Sequence, residues 1–182
     1  EWEEKYAFST KKGQSTLQTV LLDTGNGVYA LFSKANSPLS SERALNTKAF
    51  IKIGDRTIEV TEIGDLTQDS RVAAVLIPEE VAWASGLMVF SPAEDPLRFS
   101  NAVLIKDDQE MYGEIPVRVP PGEKGFLEIE TKLFNRLFGE FSPSTGDFVF
   151  SMTGELSGIM VGKDRAKIIQ SQRIGEFYRL NK

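Results

Sequence analysis

Apolar residues recur along this chain in short runs, and polar or glycine-containing turns separate the runs. Runs of this length predict β-strands, because amphipathic helices need apolar positions at a period of about 3.6 residues over ten or more residues. The predicted strands are residues 16–22, 28–32, 49–53, 56–63, 72–77, 87–90, 102–105, 114–119, 126–131, 148–152, 156–161 and 167–170.

Two turns support β-hairpins within this series. Asn26-Gly27 stands between two apolar runs, and Gly54-Asp55 stands between two more. Residues such as Asn, Asp and Gly tolerate the positive φ that tight hairpin turns require. Helical patterning is weak, and short helical turns are predicted at only three places, residues 38–45, 79–85 and 174–180.

A proline-rich stretch between residues 78 and 100 divides the predicted strands into two groups. Pro78, Pro92 and Pro96 punctuate this stretch. About six strands fall on each side, which is typical of an all-β barrel or sandwich architecture. Uninterrupted aliphatic runs predict strands with little exposure. Six residues are therefore expected in the core: Val72, Ala74, Leu76, Val149, Ile159 and Val161.

Composition narrows the classes of function. The 182 residues carry a net charge of -5, so composition argues against nucleic acid as a partner, and no apolar run approaches the ~20 residues of a membrane span. There is no histidine and no cysteine, which removes the imidazole base, the imidazole metal ligand and the thiolate ligand. The chain begins at Glu1 rather than with Met, so we expect it to be part of a longer protein.

Three segments resemble the trypsin-like (chymotrypsin-fold) peptidases of bacteria. They are "VLLDTGNGVYALFSK", "IKIGDRTIEVTEIGDLTQDSRVAAVLI" and "PSTGDFVFSMTGELSGIMV". The family carries its histidine, its aspartate and its nucleophile in segments of this kind and order. The likeness spans roughly residues 14–170 as an order of elements, and it is close residue by residue only in the last segment.

The resemblance implies a fold and a location. The fold is all-β, with two antiparallel six-stranded β-barrels packed side by side. The N-terminal barrel is expected at residues 10–80 and the C-terminal barrel at 88–172, with flanking segments at 1–9 and 173–182. Domains of this bacterial type are often extracytoplasmic.

The catalytic residues of the family are replaced when they are carried over by position. Thr145 stands in the nucleophile's place, Lys34 in the histidine's place and Val72 near the aspartate's place, with Asp69 three residues upstream. Pro143 replaces a glycine whose N–H contributes to the oxyanion hole, and proline has no N–H. Loss of one such donor typically costs ~10²–10³ in rate.

These replacements favour a non-catalytic trypsin-like domain, a pseudoprotease, that acts as a binding or structural module for a protein or peptide partner. It would need no cofactor and no metal. The alternative is an atypical hydrolase in which Thr145 or Ser144 attacks and Lys34 serves as the base, since Ser–Lys dyads exist. A third interpretation is a β-barrel module unrelated to proteases.

The segment 142–147 is the vestigial nucleophile loop in the pseudoprotease hypothesis. An anion held by the Thr145 and Gly146 amides would meet the carboxylate of Asp147. At ~4 Å and an effective dielectric constant of ~20 the repulsion is about 4 kcal/mol, more than one neutral hydrogen bond returns. We therefore predict an ordinary turn without an anion pocket, in which backbone N–H groups or a Lys or Arg satisfy Asp147.

Four apolar residues give the first candidate for an interaction surface. They recur at the spacing i, i+3, i+4 and i+7, and they are Phe134, Leu137, Phe138 and Phe141. The spacing predicts either a helical turn packed on the second barrel or an exposed aromatic ridge for a partner. The acidic cluster at 107–110 lacks the spacing of a calcium loop and is interpreted as a solvated turn.

Overall fold

The chain folds mainly into β-strands in a computed structural model. The structure describes residues 2–5, 10–35, 37–40, 44–45, 47–67, 69–106, 111–130, 142–170 and 174–180. Within these ranges the helical elements are a 3₁₀ turn at Pro38–Ser40 and helix α1 at Glu79–Ala84. The all-β prediction is confirmed.

The N-terminal half contributes most of the open sheets. Its strands are β1 (Trp2–Lys5), β2 (Thr10–Gly13), β3 (Val20–Asp23), β4 (Val28–Ser33), β5 (Ala44–Leu45), β6 (Ala49–Ile53), β7 (Arg56–Val60), β8 (Glu62–Leu66), β9 (Asp69–Ile77) and β10 (Val89–Phe90). The C-terminal half follows with β11 (Asn101–Ile105), β12 (Tyr112–Arg118), β13 (Phe126–Ile129), β14 (Phe148–Phe150), β15 (Leu156–Met160), β16 (Arg165–Ile168) and β17 (Ile174–Arg179).

One closed barrel is present, and it lies in the C-terminal half. Its six strands pair antiparallel in the order β11-β12-β13-β16-β15-β14. Its interior is filled by apolar side chains from every one of these strands, such as Leu104, Leu127 and Val149. The prediction of a six-stranded barrel in this half of the chain is confirmed.

The described strands form no second closed barrel. They make a six-stranded sheet in the order β10-β3-β4-β9-β8-β17, a three-stranded sheet β2-β1-β5 and the separate hairpin β6-β7. Among the described strands, the sheet ends at β10 on one side and at β17 on the other, and β6 pairs only with β7. Closure would need a further ladder between the hairpin and the sheet, and none joins them in the described part of the chain.

The strand β17 corrects a sequence prediction. Residues 174–180 were expected to form a helical turn, but β17 pairs antiparallel with β8, with Tyr178 opposite Ile63. The ladder with β8 lies more than a hundred residues back along the chain, so local patterning carries no signal for it. Likewise the predicted strand 56–63 is two strands, because the chain passes from the hairpin strand β7 to the sheet strand β8 at Thr61.

Both faces of the six-stranded sheet are covered. On one face Leu21, Ala30 and Val75 pack with the β6-β7 hairpin and α1. On the other face Leu22 and Leu31 pack with apolar residues of the C-terminal half. A sheet buried on both faces explains why Val72 to Val75 read as a continuous apolar run.

The predicted core is confirmed at five positions and wrong at one. Val72, Ala74, Val149, Ile159 and Val161 are buried. Leu76 is 53% exposed. It shares a face of β9 with Val72 and Ala74, and the cover that the C-terminal half gives this face ends before Leu76.

Candidate functional site

The segment 142–147 enters β14 through a closed turn, as the sequence predicts. The Asp147 N–H donates to the Ser144 carbonyl oxygen at 3.2 Å, and Gly146 adopts a φ of 104°. That φ lies in a region that residues with a side chain rarely adopt. The Gly146 N–H donates to the Met160 carbonyl oxygen at 2.9 Å, so this amide is engaged inside the barrel wall.

Asp147 is fully buried beneath this turn and is satisfied as predicted. One carboxylate oxygen, Oδ2, accepts from the Ser144 N–H at 2.7 Å and from the Lys106 Nζ at 3.2 Å. A buried carboxylate is tolerated only when it is paired and hydrogen-bonded, and both conditions are met here. The pair is therefore a structural element of the loop.

Lys106 was missed by sequence reasoning, and it is the central side chain of the loop. Its ammonium group donates to the Ser142 carbonyl oxygen at 2.9 Å and to the Ser144 Oγ at 2.8 Å, in addition to Asp147. The ladder explains the placement, because Ile105 pairs with Phe148 and the next residues in the antiparallel register are Lys106 and Asp147. The available signal was a lysine that directly follows the apolar strand β11.

Thr145 and Pro143 complete the loop. Pro143 is buried and Thr145 is partly exposed. Ser144 is exposed, and its hydroxyl accepts from Lys106. The residue in the nucleophile's place thus lies in a turn whose neighbours on both sides are held by internal hydrogen bonds.

Lys34 lies elsewhere, on the six-stranded sheet. Its Nζ donates to both carboxylate oxygens of Asp65, at 3.0 and 2.9 Å. Lys34 follows β4 and reaches across β9 to β8, and its side chain is only 12% exposed. Its side-chain hydrogen bonds go to Asp65 rather than to Ser144 or Thr145, so the structure does not bring the hypothetical dyad together. The Lys34 side chain does not point into water either, because it is mostly buried in the ion pair with Asp65.

Tyr178 joins this ion pair from the edge strand β17. Its hydroxyl donates to Asp65 Oδ1 at 3.1 Å. Burial raises the pKa of Tyr178 to about 12, and the negative charge of Asp65 and the hydrogen bond to it act in the same direction. Lys34, Asp65 and Tyr178 therefore tie three strands of the sheet together.

The resemblance puts Val72 near the position of the family's catalytic aspartate, and valine carries no carboxylate. Val72 is fully buried in the core between the two halves. Asp69 accepts from the Arg71 guanidinium at 2.8 and 2.6 Å. Burial raises the pKa of Asp69, but the hydrogen bonds and charge of Arg71 outweigh that effect and lower the pKa overall.

Two sequence hypotheses lie outside the described residues. The apolar residues Phe134, Leu137, Phe138 and Phe141 fall in 131–141, and the acidic cluster falls in 107–110. Among the residues that the structure does describe, no group of three or more acidic, histidine or cysteine side chains converges to hold a metal ion. No helix in the described ranges is long and apolar enough to cross a membrane.

In comparisons with known proteins, no family model, no curated protein and no solved structure matches this chain. The trypsin-like resemblance therefore rests on the three sequence segments alone.

Proposed function

We propose that this chain is a non-catalytic trypsin-like domain, a pseudoprotease, that acts as a binding or structural module for a protein or peptide partner. The absence of histidine and the proline at position 143 support this proposal. A closed six-stranded antiparallel barrel carries the loop 142–147, which is compatible with the second barrel that the resemblance implies.

The observation that carries the proposal is the set of hydrogen bonds that the Lys106 ammonium group donates. A lysine side chain has three N–H donors, and the three acceptors of Lys106 are Ser142 O, Ser144 Oγ and Asp147 Oδ2. A general base must accept a proton from the nucleophile. Lys106 instead donates to the Ser144 hydroxyl, and its ion pair with buried Asp147 holds it in that role.

Oxyanion stabilisation is likewise unsupported by this loop. An oxyanion hole needs N–H donors that point at the reacting oxygen and are free to bind it. Pro143 has no N–H, and the Gly146 N–H donates to Met160. Neither Pro143 nor Gly146 therefore offers a free N–H to a reacting oxygen.

Labelling with a fluorophosphonate tests the proposal. We expect no adduct on Ser144 or Thr145 by peptide mass spectrometry, and no turnover of a panel of peptide and ester substrates by the purified protein. An adduct that disappears in Ser144→Ala but persists in the matched control Ser142→Ala would overturn the proposal. An adduct that disappears in Thr145→Val or in Lys34→Ala would do the same and would support the hydrolase alternative.

A further inference from the structure

A groove of about 930 Å³ opens beside the N-terminal sheet. It lies among β6, the residues 14–19 that lead into β3, and the segment 87–90 that ends in β10. Its volume is in the range of sites that take peptides or small molecules, roughly 300–1,000 Å³. The loop 142–147 does not line it.

Large apolar side chains are exposed along this groove. Phe50 is 56% exposed, Met88 is 71% exposed and Tyr112 is 79% exposed, and all three line it. Leu87 adds a further exposed apolar side chain. A soluble protein rarely gathers such residues on one surface unless that surface binds something.

Backbone groups that have no hydrogen-bond partner among the described residues also line the groove. The hairpin strand β6 pairs with β7 along one edge and with no other strand of the described chain. Within the ranges that the structure describes, residues 14–18 make no hydrogen bond. An unpaired edge is a template for another strand, since its N–H and C=O groups remain available for pairing.

Among the described residues that line the groove, the charged side chains are lysines. Its described lining includes Lys48 and Lys52 and no Asp or Glu, although the chain has 26 acidic and 21 basic residues. Phe50 and Lys52 stand two residues apart in β6, so they share one face of the strand. Both residues are exposed, and this face of the hairpin therefore presents an aromatic ring beside a lysine.

We propose that this groove binds an extended, acidic segment of a partner protein by strand addition to β6. The segment's apolar side chains occupy the groove, and an Asp or Glu residue faces Lys52. The inference rests on the proposed function as a binding module and names the surface and the class of partner. An anionic amphiphile would match the charge and the apolar wall but would leave the backbone edge unused.

The probe is a fluorescent peptide of about ten residues that alternates aspartate with valine or phenylalanine. Two matched peptides accompany it: one with lysine in place of aspartate, and one with the same side chains but alternate backbone nitrogens methylated. We expect fluorescence anisotropy to show binding of the acidic peptide, with at least about tenfold weaker binding of the lysine peptide and of the methylated peptide.

Protein variants locate the binding on the groove. Lys52→Glu should weaken the acidic peptide by about tenfold, while Lys163→Glu, at another exposed lysine on the barrel, should leave it unchanged. Phe50→Ala should weaken it as well, while Leu97→Ala, at an exposed leucine outside the groove, should have no effect.

Each contrary result has a distinct meaning. Equal binding of the methylated peptide would overturn strand addition and indicate an amphiphile site. A dimer of the chain that Lys52→Glu dissociates would assign the groove to a second copy and overturn the partner assignment. No binding of the acidic peptide would overturn this inference and leave the proposed function standing, whereas cleavage of the peptide would overturn the proposed function.

Discussion

At the scale of single residues, Lys106 holds the loop 142–147 in its closed form. Lys106→Met should lower the free energy of unfolding by about 3–5 kcal/mol, because fully buried Asp147 then loses the ammonium group of Lys106. Urea unfolding at neutral pH measures the difference. The matched control Lys163→Met, at an exposed lysine, should change stability by no more than about 0.5 kcal/mol.

The double variant Lys106→Met with Asp147→Asn separates charge from packing. It should recover part of the loss, because an amide does not carry the buried charge. A loss in Lys106→Met no larger than in Lys163→Met would show that the ion pair contributes nothing to the loop.

Tyr178 predicts a pH dependence of stability. Its pKa is about 12 in the folded protein and about 10 in the unfolded chain, so the folded state keeps the proton in a range where the unfolded state releases it. Stability from this group is complete below pH ~10 and is lost as pH rises toward 12. In urea unfolding across this range, Tyr178→Phe should lose stability less steeply than the wild type.

The comparison of slopes isolates Tyr178 from the other groups that titrate at high pH. Tyr112→Phe serves as the control, at a tyrosine that is 79% exposed, and should keep the wild-type slope. Identical slopes of stability against pH for the wild type and Tyr178→Phe would show that the hydrogen bond from Tyr178 to Asp65 does not stabilise this edge of the sheet.

At the scale of elements, strands β15 and β9 offer a direct contrast. Ile159 of β15 is fully buried between the two halves, and Ile159→Ala should cost about 2–5 kcal/mol. Leu76 of β9 is 53% exposed, and Leu76→Ala should cost less than about 1 kcal/mol. Urea unfolding of both variants checks the register, and a reversed order of losses would contradict it.

The elements also show where local pattern is sufficient and where it fails. The hairpin β6-β7 follows from alternation around Gly54, whose φ of 57° suits a tight turn. The strand β3 is shorter than predicted, because residues 14–19 have no ladder partner in the described part of the chain. The strand β17 depends on β8, a distant partner that decides between helix and strand for a short amphipathic segment.

At the scale of the whole molecule, one apolar core joins the two halves. Phe148 and Phe150 point out of the closed barrel into this core, while Val149 between them points into the barrel. The strands β10 and β17 flank the C-terminal barrel in sequence and lie in the N-terminal sheet in space. The two halves therefore share both strands and core.

The sequence alone determined the β-class, the position of most strands, most of the core and the absence of histidine, which excludes a histidine-based triad. These features follow from local periodicity and from residue types that are present or absent. Local chemistry also predicted that backbone N–H groups or a Lys or Arg would bind the Asp147 carboxylate in a turn.

Only the tertiary structure decided which cation pairs with Asp147, because the register of β11 on β14 places Lys106 beside it. Tertiary structure also decided that the N-terminal half stays open and that Lys34 pairs with Asp65. Strand pairing between distant segments follows from the packing of the whole chain, and a residue's neighbours in sequence carry little of that information.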